Sequence, residues 1–151
     1  MILTQNSWHD LSPGISTEAQ VLAAMGTPDR KDSNESYGLL KNLVQFEYDD
    51  LKKPSFLFQE GKLFLIYFRP DKDDNGFTSK AEPWITALGE PKQECFMNSH
   101  VDKHALLYIY PGRGLALHVV GDIVEIVEIF AAMSLDEYMN SFYVKPPVFI
   151  K

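Results

Sequence analysis

The chain has one cysteine, Cys95, in 151 residues. A lone thiol cannot close an internal disulfide, so the fold must be held by packing and hydrogen bonding, as suits a reducing compartment. No apolar run approaches the roughly 20 residues that cross a bilayer as a helix. The first residues, MILTQNSWHDLSPG, also lack the basic start and apolar centre of a secretion signal. These absences give the expectation of a cytoplasmic protein with no membrane association. Positive charge is scarce as well: 14 Lys and Arg stand against 21 Asp and Glu, a net charge of −7. A nucleic-acid binder shows the reverse balance, so that class of partner is set aside.

The composition does not lack material for a core. Hydrophobic residues make up 45% and aromatic residues 13% of the chain, well beyond what a disordered segment carries. Length and composition together suit one domain over residues 1–151.

Catalytic and metal motifs are thin. Cys95, His100 and His104 fall in the order C-x4-H-x3-H, but structural zinc motifs pair their ligands and no second cysteine is present. His118 sits inside a strand pattern, with no nucleophile motif beside it. Tyr110-Pro-Gly-Arg-Gly114 lacks the Lys-Ser/Thr and the helix of a phosphate loop, and reads as a tight hairpin turn with Arg113 at its tip. Glu125 and Glu128, three apart on a strand, point to opposite faces and cannot flank one bond. The expectation is a protein that is not an enzyme and has neither metal nor cofactor.

What is present is an echo. LAAMGTPDR at 22–30 and ITALGEPKQ at 85–93 each end an apolar helical stretch on Gly-x-Pro, with Gly26 and Gly89 sixty-three positions apart. Glycine at a positive φ closes a helix and proline cannot continue it. The first helix starts at Ser16 or Thr17, where Thr17 and Gln20 fit a capping box and Val21, Leu22 and Met25 form an apolar stripe. The second starts between Ser79 and Glu82, with Pro83 in its first turn and Trp84, Ile85 and Leu88 as its stripe. After the first helix come a polar stretch and the strand patterns LVQFEY (43–48), SFLFQ (55–59) and KLFLIYF (62–68). After the second come a polar stretch, ALLYIY (105–110), LALHVV (115–120) and DIVEIVEIF (122–130). Gly61 and Gly121 sit in short links between the last two strands of each set, as antiparallel hairpins require. RPDKDDNG (69–76) reads as a polar linker.

These signals predict an α+β fold of two tandem helix-plus-three-stranded-meander repeats, residues 14–70 and 77–132. The two repeats form one curved antiparallel sheet with helices packed on one face. Residues 133–151 add a short helix at 134–140, with Ser134 and Glu137 as its capping box, and an extended tail.

A helix closing on Gly-x-Pro before a polar stretch and three meandering strands resembles the small outer-membrane lipoproteins of the barrel-assembly machinery. Two such units in tandem resemble the β-lactamase-inhibitor-protein family, and small toxin-immunity proteins are similar in build. The resemblance covers about residues 14–130. It implies a protein-binding function through a curved sheet and its loops, with Asp49, Asp50 and Leu51 of YDDLKKPS (48–55) reaching into a partner. The inhibitors carry disulfides, and a chain with one cysteine implies a cytosolic version of that architecture.

Two features of the residues bear on a partner. In LVQFEY, Val44, Phe46 and Tyr48 alternate with Gln45 and Glu47, whereas the positions matching those polar residues in ALLYIY are Leu107 and Ile109. The last strands are apolar on both faces except for Glu125 and Glu128. A half-covered antiparallel sheet needs apolar residues on one side only. The surplus face therefore needs a cover, which the tail, a second copy of the chain as a homodimer, or a different protein would supply. From Gly114 to Val144 there is no Lys or Arg, while Asp122, Glu125, Glu128, Asp136 and Glu137 fall there, which suits a basic partner.

The expected function is therefore a cytoplasmic immunity protein that blocks a toxin effector by steric occlusion. The expected contacts are Asp49, Asp50, Leu51, Leu107, Ile109, Arg113, Glu125 and Glu128. The alternatives are an envelope or assembly scaffold factor, and a small-molecule-binding or enzymatic domain that uses the sheet face around His118.

Overall fold

The computed structural model describes residues 1–50, 52–70, 76–96 and 105–143. Leu51, the centre of the 69–76 linker, His100, His104 and the tail from Val144 onward lie outside the described residues.

The first helix, α1 (Glu18–Met25), opens on the expected capping box, in which Thr17 and Gln20 satisfy each other's backbone N–H. Four strands follow: β1 (Arg30–Tyr37), β2 (Leu40–Glu47), β3 (Ser55–Gln59) and β4 (Lys62–Phe68). Helix α2 (Ala81–Leu88) is followed by β5 (Gln93–Phe96), β6 (Ala105–Tyr110), β7 (Leu115–Val120) and β8 (Ile123–Phe130), and the described chain finishes with α3 (Leu135–Ser141). All eight strands form one antiparallel sheet in the order β1-β2-β3-β4-β8-β7-β6-β5, so the last strands of the two halves meet at the centre.

Each half thus has four strands where the sequence pattern gave three. The missed strands, β1 and β5, are the two edges of the sheet. RKDSNESY is exposed along nearly its whole length, so no alternation of burial exists for a pattern to register. Its charges and its two register breaks also blunt an open edge against further pairing.

Gly26 and Gly89 end their helices at φ 84 with ψ near 180°, the extended mirror region that only glycine visits readily, rather than in the left-handed helical region. In both cases the glycine carbonyl accepts a hydrogen bond from a tyrosine hydroxyl at the end of a strand, Tyr48 to Gly26 and Tyr110 to Gly89, each at 2.9 Å. Further ties recur. Glu18 N–H donates to Gly61 and Ala81 N–H to Asp122, while Leu63 N–H donates to Ser16 and Val124 N–H to Ser79. These bonds seat each helix start against the first residues of its own last strand.

The sheet is covered on both sides. On one face Val21 of α1 and Ala81, Trp84 and Leu88 of α2 pack with Phe46, Phe56, Phe58, Ile66, Leu117 and Val127. On the other, Tyr138 of α3 and Phe142 close over Leu43, Leu57, Leu65, Leu107, Ile109 and Phe130. The helices of the two halves share one face, and α3 lies on the opposite one, because its only fully buried side chain, Tyr138, and the following Phe142 join the second cluster. Gly38 makes this docking feasible. A Cβ there would lie 2.4 Å from the Phe142 carbonyl oxygen, and Leu39 N–H reaches the Ser141 carbonyl at 2.9 Å.

Candidate functional site

Two places gather polar side chains that packing alone does not account for. The first is buried under α3. Tyr67 of β4 and Glu128 of β8 are direct partners across the central seam, and Glu128 is 2% exposed. A buried carboxylate needs donors to replace water. The Glu128 carboxylate finds them in the Tyr138 hydroxyl from α3 at 2.5 Å and the Tyr37 hydroxyl from the end of β1. His118 Nε2 of β7 lies 3.0 Å from Glu128 Oε2 as an ion-pair contact, and among the described residues it has no hydrogen-bond partner. Beside this group, Gln45 Nε2 donates to the Tyr67 hydroxyl at 2.7 Å and to the Glu47 carboxylate at 2.8 Å.

Burial pushes the Glu128 carboxyl upward, but the attraction of His118 and the bonds from Tyr138 and Tyr37 outweigh it, leaving the group below its ordinary range. The same contact acts in reverse on the donors. Burial first, and then the Glu128 charge, hold the Tyr37 and Tyr138 hydroxyls well above their usual value. The cluster therefore holds an ionised carboxylate and two protonated phenols around neutral pH, tying β1, β7, β8 and α3 together.

The second place is the exposed loop between β2 and β3. Arg30 Nη1 binds Asp49 Oδ1 at 2.7 Å while its Nε binds Glu47 Oε2 at 2.9 Å. The Asp49 N–H donates to Asp29 at 2.7 Å, Asp50 accepts from the Lys52 N–H at 3.0 Å, and the Lys53 ammonium reaches the Met25 carbonyl at 2.9 Å. These bonds tie the described residues of the loop to the sheet and to the end of α1, and the Asp49 side chain stays 68% exposed.

The residues singled out from the sequence separate into two groups. Asp49, Asp50 and Arg113 are exposed, and Glu125 is half-exposed at the bulge where the β7–β8 register skips one residue. Leu107, Ile109 and Glu128 are 5%, 0% and 2% exposed. These three are corrected as contact residues: α3, Phe142 and neighbouring strands already cover them, so they build the interior. Leu51 lies outside the described residues. The exposed four do not form one patch, for the strand register puts the Arg113 turn and the Asp49 loop at opposite ends of the sheet.

Sequence reading missed Tyr37, Tyr67 and Tyr138 as partners of Glu128. Their wide separation along the chain leaves no local pattern, and the only signal was a glutamate in an otherwise apolar strand. His118 faces the α3 side, while Tyr108 and Tyr110 pack on the α1–α2 side, so the three do not converge on one ligand site. Cys95 is half-buried, and burial pushes its thiol upward. Among the described residues, no helix is long and apolar enough to cross a membrane. Comparisons with protein-family models, curated proteins and solved structures found no match.

Proposed function

We propose that the chain is a non-enzymatic protein-binding protein, a cytoplasmic immunity protein that neutralises a toxin effector by covering its working surface. In the same proposal the chain is two tandem copies of one unit, built in the manner of β-lactamase-inhibitor-like proteins. The recurring Tyr-to-Gly bonds, helix-start bonds and bulges support the duplication. They are tertiary contacts, and chance helix stops would not reproduce them.

The observation that carries the binding proposal is the pinned, exposed loop at Asp49 and Asp50. Residues tied by an ion pair and backbone hydrogen bonds lose less entropy on docking than untied ones, which favours a binding surface. Exposed carboxylates on a chain of net charge −7 favour a basic partner and speed its encounter. The Glu128 cluster has a structural role here: it joins the terminal helix to the centre of the sheet and keeps the scaffold behind the loop rigid.

The test is affinity capture from the native host with the purified chain as bait. One basic protein should be retained in about equal molar amount, and its activity should fall to baseline when one equivalent of the chain is added. Retention of a metabolite with no protein would defeat the proposal.

A further inference from the structure

A cavity of about 540 Å³ opens between the N-terminal segment and the β2–β3 loop. That size lies in the range of small-molecule sites. Its apolar walls include Leu3, Trp8 and Phe77, and Ser7, His9 and Lys52 supply its polar groups. The wall is backed by a packed aromatic series: Trp8 to Phe68 at 5.1 Å, Trp8 to Phe77 at 5.6 Å and Phe68 to Phe77 at 4.7 Å between ring centres. Trp8 itself is only 6% exposed, so the ring is fixed and does not need ordering when a ligand arrives.

The backbone at the mouth is unusual. Trp8 and Leu11 exchange two backbone hydrogen bonds of 2.9 Å, closing a tight turn that holds His9 at φ 53. That is a conformation residues other than glycine avoid. The turn places the His9 ring edge-on to Trp8, 5.7 Å away. Strain of this kind at the rim of a cavity is a recurrent mark of a ligand site.

From this arrangement we propose that the cavity is a binding site for a small aromatic carboxylate. The planar body would lie against Leu3, Phe77 and the small exposed edge of Trp8, and the carboxylate would meet the Lys52 ammonium with Ser7 and His9 as further polar partners. An aromatic body matches the apolar wall, and an anionic group matches the exposed Lys52 ammonium at the mouth, whereas a bare phosphate would make no use of the wall. The inference goes beyond the protein-binding proposal and does not depend on it.

The experiment titrates 2-naphthoate, and 2-naphthalenemethanol as its neutral analogue, into the full chain by calorimetry. The two indole N–H resonances are followed in parallel. Binding of 2-naphthoate should saturate with a Kd on the order of 0.1 mM, as expected for a ligand of this size. The Trp8 signal should move, while that of Trp84, whose indole N–H is held by the Thr78 carbonyl at 2.8 Å, should stay. Lys52→Gln should weaken 2-naphthoate about tenfold and leave the alcohol within about twofold. Leu3→Trp, which adds an indole to the apolar wall, should weaken the binding of both ligands, with the melting temperature recorded alongside to show that the variant is folded. No saturation by about 5 mM, movement of the Trp84 signal in place of Trp8, or equal binding of the acid by Lys52→Gln and wild type would each overturn the proposal.

Discussion

Tyr67 and Glu128 stand opposite each other at the central seam, one from each half of the sheet, and the two halves build different chemistry around them. In the first half Tyr67 shares Gln45 with Glu47, close to a wet margin. In the second half Glu128 is sealed under α3 and collects Tyr37, Tyr138 and His118. The strand neighbours change with it: Leu57 lies two positions from Ser55, the partner of Tyr67, and His118 lies two from Ala116, the partner of Glu128. The seam thus has Leu57 beside the neighbour of Tyr67 and the ionisable His118 beside the neighbour of Glu128. The backbone frame sets where side chains go, and the side chains decide how each half depends on pH.

The helices differ in the same way. Val21 in α1 and Trp84 in α2 each sit five residues before the closing glycine, and both are 0% exposed. Val21 is the only buried residue of its helix, whereas Ala81 and Leu88 accompany Trp84. Trp84→Ala should therefore give the largest loss, about 3–5 kcal/mol in chemical denaturation, against about 2 kcal/mol for Val21→Ala. Equal losses would break the contrast between the two helices.

At the seam, Glu128→Leu leaves two tyrosine hydroxyls without their acceptor, removes the carboxylate beside His118, and should cost about 3 kcal/mol. Tyr67→Phe, which leaves Gln45 its bond to Glu47, should cost about 1 kcal/mol.

The pH profile sharpens the same contrast. The Glu128 carboxyl lies below its ordinary value in the fold, so its contribution is complete above the ordinary carboxylate range, near pH 4.3, and is lost as pH falls through the folded value. The Tyr37 and Tyr138 hydroxyls lie above theirs, so their contribution is complete below about pH 10 and is lost as pH rises beyond it. Urea midpoints of Tyr67→Phe should track the wild type at the acid end and fall less steeply at the alkaline end, because burial also raises the Tyr67 hydroxyl, and those of Glu128→Leu should be flatter at both.

The smallest stability effects test what the halves have in common. Tyr48→Phe and Tyr110→Phe each remove one hydroxyl from a glycine carbonyl, and both should cost about 1 kcal/mol. A large inequality would mean that the two helix ends are not held alike. Replacing Asp49 and Asp50 by Ala should leave the unfolding midpoint close to wild type, because their bonds are made at the surface.

Much of the frame was legible in the sequence because it is written locally. Capping boxes at Thr17 and Ser134 and the bounds of SFLFQ, KLFLIYF, ALLYIY and LALHVV all follow from short-range pattern. The edge strands were not, because RKDSNESY has no buried side to alternate with. The surplus apolar face at Leu107 and Ile109 was legible as a face needing cover, but the α3 docking depends on Gly38, a hundred residues away in sequence from the helix it admits. The Glu128 cluster was the least legible, since its donors come from β1 and α3 and meet only in the folded chain.

The most direct test of the binding account is the affinity of the captured partner for two versions of the chain, wild type and the Asp49→Ala/Asp50→Ala double variant, measured side by side by calorimetry. The account predicts that the double variant binds at least about 100-fold more weakly while its unfolding midpoint is unchanged. Equal affinity of the two versions would contradict it.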